Sequence, residues 1–154
     1  MSASQRTKGI GGEREVANLL REALDIDVTR NWQAQSVIGG FDLTGIPGWA
    51  IEVKRAKTEH VAQWWQQTVT QAQKYSLKPV LIYRIDGHGR GLRDDEKWQT
   101  VFLMTSLVDM PEMQFTVHTT LRAWIFTIVR QGLFDRTPKL TGSLMSQKSE
   151  AAYP

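Results

Sequence analysis

The chain has 154 residues, 41% hydrophobic and 23% charged, with a formal net charge of +3 and no cysteine. That length and apolar content suffice for one domain with its own core. The lack of cysteine excludes disulfides, zinc–thiolate sites and thiol nucleophiles, leaving oxygen and imidazole as metal donors. No apolar run approaches membrane-spanning length, and MSASQRTKGIGGERE lacks the apolar centre of a secretory signal. A cytoplasmic location without a membrane partner is therefore expected.

A first helix is predicted from Gly11 or Gly12 to Leu24, because Val16, Leu19, Leu20, Ala23 and Leu24 repeat at helical spacing. At about 100° per residue Glu13 falls inside this apolar stripe, Glu15 outside it and Arg14 nearly opposite. Alternation of Ile26, Val28, Arg30 and Trp32 predicts a strand over 26–32. Strands are predicted at 41–44 and 49–54, around a Gly-Ile-Pro-Gly turn.

A helix over 59–75 follows, with Val61, Ala62, Trp65, Val69 and Ala72 as its apolar stripe, and Lys78-Pro79 after its end. A strand over 80–85 completes an α-β-β-β-α-β order. Residues 86–97 read as a polar loop, 98–104 as a strand and 114–118 as its partner. Thr119 and Thr120 are N-cap candidates for a closing helix whose face is Leu121, Trp124, Ile125, Ile128 and Val129, with a strand as the alternative that its β-branched content leaves open. Residues 1–135 are read as one domain and 136–154 as a flexible tail, since periodicity stops there.

The chemistry concentrates in FDLTGIPGWAIEVK, residues 41–54, where Asp42, Glu52 and Lys54 lie inside otherwise apolar strands. Side chains alternate across a strand, so Glu52 and Lys54 share one face while Ile51 and Val53 share the other. A three-residue loop, Ile46 to Gly48, would set Asp42 opposite Glu52 on the charged face. Facing carboxylates repel and raise each other's pKa unless a cation lies between them. Hard oxygen donors in that arrangement suit Mg²⁺, with Mn²⁺ as a substitute. Such a site could polarise a phosphodiester and activate water, with Lys54 stabilising developing negative charge. Asp86, Asp95 and Lys97 match the same spacing but lie in the Gly-rich loop, which does not supply facing strands.

Asp42 followed by Glu52-Val53-Lys54, with Glu13 on the preceding helix, resembles the PD-(D/E)xK nuclease superfamily. KGIGGEREVANLL (8–20), Arg30, Ser36, GFDL and AIEVK resemble, more narrowly, the Holliday junction resolvases of the archaeal type and their phage relatives. Phe41 and a longer stretch from Arg30 to Asp42 depart from that pattern. The resemblance implies an α/β, restriction-endonuclease-like core, a central mixed sheet flanked by helices. It implies metal ligation by Glu13, Asp42, Glu52 and the Val53 carbonyl, with Lys54 catalytic, and a homodimer cutting four-way DNA junctions. Gln71-x-x-x-Tyr75 resembles an element of the RecB-like branch, in which Gln71 approaches the phosphate or the attacking water.

Lys8, Arg30, Ser36, Arg55 and Lys57 are the candidate DNA contacts. The plain alternative for Asp42, Glu52 and Lys54 is a solvated sheet face carrying an ion pair, and for Glu13 a first-turn acid favoured by the helix dipole. Besides a junction resolvase, a nuclease for linear or single-stranded DNA and a non-catalytic DNA-binding protein of the same fold remain open. Trp64 diverges from Trp65 and is a candidate for boundary packing, a dimer contact or DNA stacking. GHGRG, residues 87–91, lacks the Gly-Lys-Ser/Thr ending of a phosphate loop, so no nucleotide cofactor is expected.

Overall fold

The structure, a computed structural model, describes residues 3–32, 40–108 and 110–130. Its elements are helix α1 (Ala3–Leu24), strands β1 (Thr29–Arg30), β2 (Leu43–Thr44) and β3 (Trp49–Ala56), helix α2 (Val61–Lys74), strand β4 (Lys78–Ile85), a one-turn helix α3 (Asp94–Lys97), strands β5 (Gln99–Leu103) and β6 (Thr116–Thr120), and helix α4 (Leu121–Arg130). The strands form one mixed sheet in the order β1-β2-β3-β4-β5-β6. Only β3 and β4 run parallel among these neighbours, joined through α2; the other pairs are antiparallel.

The two faces of the sheet differ in chemistry. Ile51 and Val53 of β3, Val80 and Ile82 of β4 and Phe102 of β5 face the main core, packed with Val16, Ala17, Leu20 and Leu24 of α1 and with Leu121, Trp124 and Ile128 of α4. Trp49 anchors it edge-to-face between Trp124 (5.3 Å between ring centres) and Phe102 (6.4 Å). Each such large side chain contributes about 1.5–3 kcal/mol by burial. Beneath α2 the opposite face has a thinner apolar layer, with Ala50, Leu81, Val101 and Ala72 buried beside polar Glu52, Thr68 and Gln71. One face of the sheet carries the core and the other is left for polar groups.

Several boundaries differ from expectation. Helix α1 begins at Ala3, two turns before the predicted start. Glycine in a helix costs only about 1 kcal/mol, and the Lys8–Asp86 ion pair at 3.1 Å ties the added turns to the end of β4. Gly12 serves a close approach: a Cβ there would lie 3.1 Å from Trp98 Cη2 and 3.3 Å from Arg55 Cβ. Strand β1 is two residues long because β2 offers only Leu43 and Thr44 to pair with it. Residues 94–97 of the predicted loop form α3, with three acids in its only turn.

The buried stripe of α2 is rotated from the predicted one. Thr68, Gln71 and Ala72 are its buried residues, while Ala62 is exposed. The polar face of the sheet selects a polar helix face, and hydrophobic periodicity misjudges such a helix. Trp64 packs at the boundary, tilted on Tyr83 at 6.0 Å. Strand β6 pairs with β5 as expected, shifted two residues towards the C-terminus. Thr120 caps α4, its hydroxyl accepting the Ala123 N–H at 3.2 Å. Residues 136–154 lie outside the described residues, as does the side chain of Val129.

The hairpin rests on Gly45, whose φ is +118° and whose added Cβ would collide with the Asp27 carbonyl oxygen and lie 2.9 Å from Val28 Cα. Both are backbone atoms, so nothing nearby can swing aside. Gly45→Ala is expected to destabilise the protein by about 3 kcal/mol in urea titrations. Gly48→Ala, at φ +83° but in open space, should cost only about 1 kcal/mol.

Candidate active site

Pairing of Leu43 with Ile51 is the register of a hairpin closed by Ile46 to Gly48, and it leaves Asp42 facing Glu52. Regular pairing stops there. The Asp42 N–H donates to the Ile51 carbonyl at 2.8 Å, and the Asp42 carboxylate accepts the Val53 N–H at 2.8 Å. A side chain thus takes the ladder position that the β2 backbone gives up, which ends β2 and fixes Asp42 against β3.

Glu52 is 3% exposed and its Oε1 accepts from Lys54 Nζ at 2.5 Å. Its Oε2 is buried without a hydrogen-bonding partner. Glu13 approaches from α1, is 9% exposed and is held by Arg30 Nε of β1. Arg30 in turn lies over the Trp32 ring at 4.3 Å.

Three carboxylates therefore stand against two cations, one negative charge in excess. Burial, then the charge of Glu52 and more weakly that of Glu13, holds the Asp42 carboxyl well above its ordinary value, against the Val53 N–H and Lys54. Glu52 is raised as well, by burial first, with Lys54 opposing, Glu13 adding and a hydrogen bond with Asp42 lowering it slightly. Burial alone would lower Lys54, but Glu52, Asp42 and Glu13 outweigh it and the ammonium is held above its ordinary value.

Among the described residues no three acids or histidines close into a ready-made metal cage. The donor set nevertheless fits a hard divalent cation. The excess charge, the raising of Asp42 by burial and by Glu52, and the unpartnered Glu52 Oε2 would all be relieved by one. Gln71 projects from α2 into the same polar layer, 6% exposed, with a buried Oε1 lacking a partner.

The other sequence candidates are dispersed. Arg55 lies on the opposite face of β3, bonded to Asp86 at 2.9 Å and 3.9 Å from Glu15. Lys8 binds the other oxygen of Asp86, whose carboxyl is held below its ordinary value by Arg55 and Lys8. Both side chains thus belong to an ion-pair network under α1 and are not gathered at the hairpin. Glu15, expected outside the stripe, completes it, accepting from Arg84 at 2.9 Å and Trp98 Nε1 at 3.1 Å. Lys57 is exposed just beyond β3, and Ser36 lies outside the described residues.

Sequence reasoning missed Tyr83, which pairs with Lys54 across β3 and β4 and so shares its face. No local signal could have found it, since a crossover helix does not encode the register of the strands it joins.

A mixed sheet flanked by helices, with acids and a lysine on a strand hairpin and a further acid on the first helix, defines a restriction-endonuclease-like nuclease. Residues 4–109 match the family described as "Phage putative PDDEXK endonuclease", and the chain belongs to that family. No curated protein matches the chain. Among solved structures it is similar to Hjc, a Holliday junction resolvase from the archaeal hyperthermophile Archaeoglobus fulgidus. The two share 18% identity over 76% of this chain and 99% of that one, with a TM-score of 0.47.

The raised carboxyls carry a pH consequence. Asp42 and Glu52 bind protons more tightly folded than unfolded, so the folded state loses stability as pH rises from the ordinary carboxylate range through their raised values. Asp42→Asn removes that charge and retains an oxygen for the Val53 N–H. It should raise the melting temperature at about pH 8, and the gain should vanish below about pH 4, where wild-type Asp42 is protonated in both states.

Proposed function

We propose that this endonuclease is a divalent-metal-dependent DNA hydrolase, most readily a resolvase that makes paired nicks in four-way junctions. The observation that carries the metal-dependent reading is the hairpin cluster: two facing buried carboxylates, both raised by burial and one with an unpartnered oxygen, beside a lysine held protonated. A purely structural ion pair has no need of the extra acid. Support for a branched substrate is the likeness of roughly residues 8–85 to junction resolvases.

Asp42 and Glu52, with the Val53 carbonyl and Glu13, would hold Mg²⁺ or Mn²⁺, which when bound supplies Lewis acidity to the scissile phosphate. Lys54 reaches from the buried Glu52 towards solvent, 27% exposed, and places its ammonium where negative charge builds on the phosphoryl oxygens. Gln71 supplies a buried acceptor able to orient water. Attack by water on phosphorus opposite O3′ forms the new P–O bond as P–O3′ breaks, and with a water proton passed to O3′ it leaves 5′-phosphate and 3′-hydroxyl ends. Paired nicks on opposing strands require two sites, hence a homodimer, acting in the cytoplasm on DNA.

The test incubates the protein with Mg²⁺ or EDTA on a labelled four-way junction beside linear duplex, flap and single-stranded DNA. Symmetric nicks in the junction alone, abolished by EDTA and reduced about a thousandfold or more in Asp42→Asn and Lys54→Ala, are expected. Equal cutting of the other substrates would replace the resolvase by a less selective nuclease. Tight binding with no cutting would leave a DNA-binding protein. Independently of turnover, millimolar Mg²⁺ should raise the melting temperature of wild type and have little effect on Asp42→Asn.

A further inference from the structure

Beside the hairpin site, on the same face of the sheet, lies an open cleft of about 200 Å³. Tyr83 and Ile85 of β4 form its floor on the sheet, and His88 and Leu92 of the following loop, Glu59 and Glu96 also line it. Tyr83 is in register with Lys54, and adjacent strands are about 4.8 Å apart, so the cleft starts one strand away from the lysine. An aromatic row marks the approach. Trp64 leans on Tyr83 at 6.0 Å, and His60 meets Trp64 edge-on at 5.9 Å.

The chemistry of the cleft selects among parts of a nucleic acid. Of the two carboxylates that line it, Glu96 is paired with Arg122 at 4.0 Å and accepts the Arg93 N–H, which leaves Glu59 to repel phosphate. The Lys97 ammonium does not offset that charge, because it is tied to Asp94 at 2.7 Å. Carboxylates do accept hydrogen bonds from the N–H groups on a base edge. The apolar faces of Ile85, Leu92 and the Tyr83 ring suit a flat heteroaromatic ring. Burial first, then the Glu59 charge, raises the Tyr83 hydroxyl, which places that carboxylate within electrostatic reach of the floor. Among the described residues the Glu59 carboxylate and the His88 ring have no hydrogen-bonding partner. The volume accommodates one ring system and not a base pair.

We propose that this cleft is a nucleobase subsite, which takes one base that has left the stack within a nucleotide or two of the scissile phosphate and reads the N–H donors on its edge through Glu59. This inference rests on the nuclease reading above and adds a specificity determinant to it. Unstacking costs least at an unpaired or branch-point nucleotide, so the subsite favours distorted DNA over regular duplex.

The test uses the full chain with Mg²⁺ and the best-cut DNA, carrying a single abasic residue at each of three positions on either side of the cut. One abasic position should slow wild-type cleavage about tenfold. Leu92→Arg, which fills the cleft from a side chain 48% exposed, should slow cleavage of intact DNA by a similar factor and add nothing on the sensitive abasic substrate. Glu59→Gln should reduce the preference for guanine or cytosine over thymine at that position. Wild-type rates indifferent to every abasic position, or Leu92→Arg cutting like wild type, would overturn the subsite alone. No cutting of any DNA by wild type would overturn the nuclease reading and the subsite with it.

Discussion

A carboxylate that is 3% exposed persists only beside a partner, and for Glu52 that partner is Lys54 at 2.5 Å. The pair occupies two alternate positions of β3, so it stands on one face while Ile51 and Val53 anchor the other in the main core. Sliding β3 by one residue would exchange these faces, burying the charges in the core and exposing its aliphatic side chains. Register in the hairpin therefore controls stability and chemistry together. Gly45, packed against the backbone of residues 27 and 28, is where that register is set.

The division of labour between faces continues through the helices. Helices α1 and α4 cover the apolar side with Leu20, Trp124 and their neighbours, whereas α2 presents Thr68 and Gln71 to the other. Helix α1 also serves both functions. Gly12 lets it approach Trp98 and Arg55, and the next residue, Glu13, delivers its charge to the hairpin cluster. A larger residue at position 12 would have to displace an indole or an arginine stem before Glu13 could reach the same place.

Basic residues near the site have two different employments. Lys54 and Arg30 balance the acids of the cluster, leaving one negative charge over. Lys8 and Arg55 instead join Asp86 and Glu15 on the far face, fastening α1 to β3 and to the end of β4. Half-buried surface ion pairs of this kind contribute little individually, about 0.2–1 kcal/mol. As a connected set they orient the helix that carries Glu13.

What was legible in the sequence was local. Alternation along 49–54, the Gly-Ile-Pro-Gly turn and the spacing of Asp42, Glu52 and Lys54 set the hairpin and its charged face, because period-two geometry and a short loop act within fifteen residues. The inward position of Glu13 followed from helical period alone. Only the tertiary structure decided the rest. Arg55 and Lys8 read as basic residues beside a site until β4 brings Asp86 to them. The polar inner face of α2 reads as an outer one until the sheet beneath it is seen to be polar. Tyr83 becomes a neighbour of Lys54 through a parallel register formed by residues 29 positions apart. Periodicity reports which face of an element is apolar; which charges and rings meet is settled by packing between distant elements, where each side chain's partner lies outside its own local pattern.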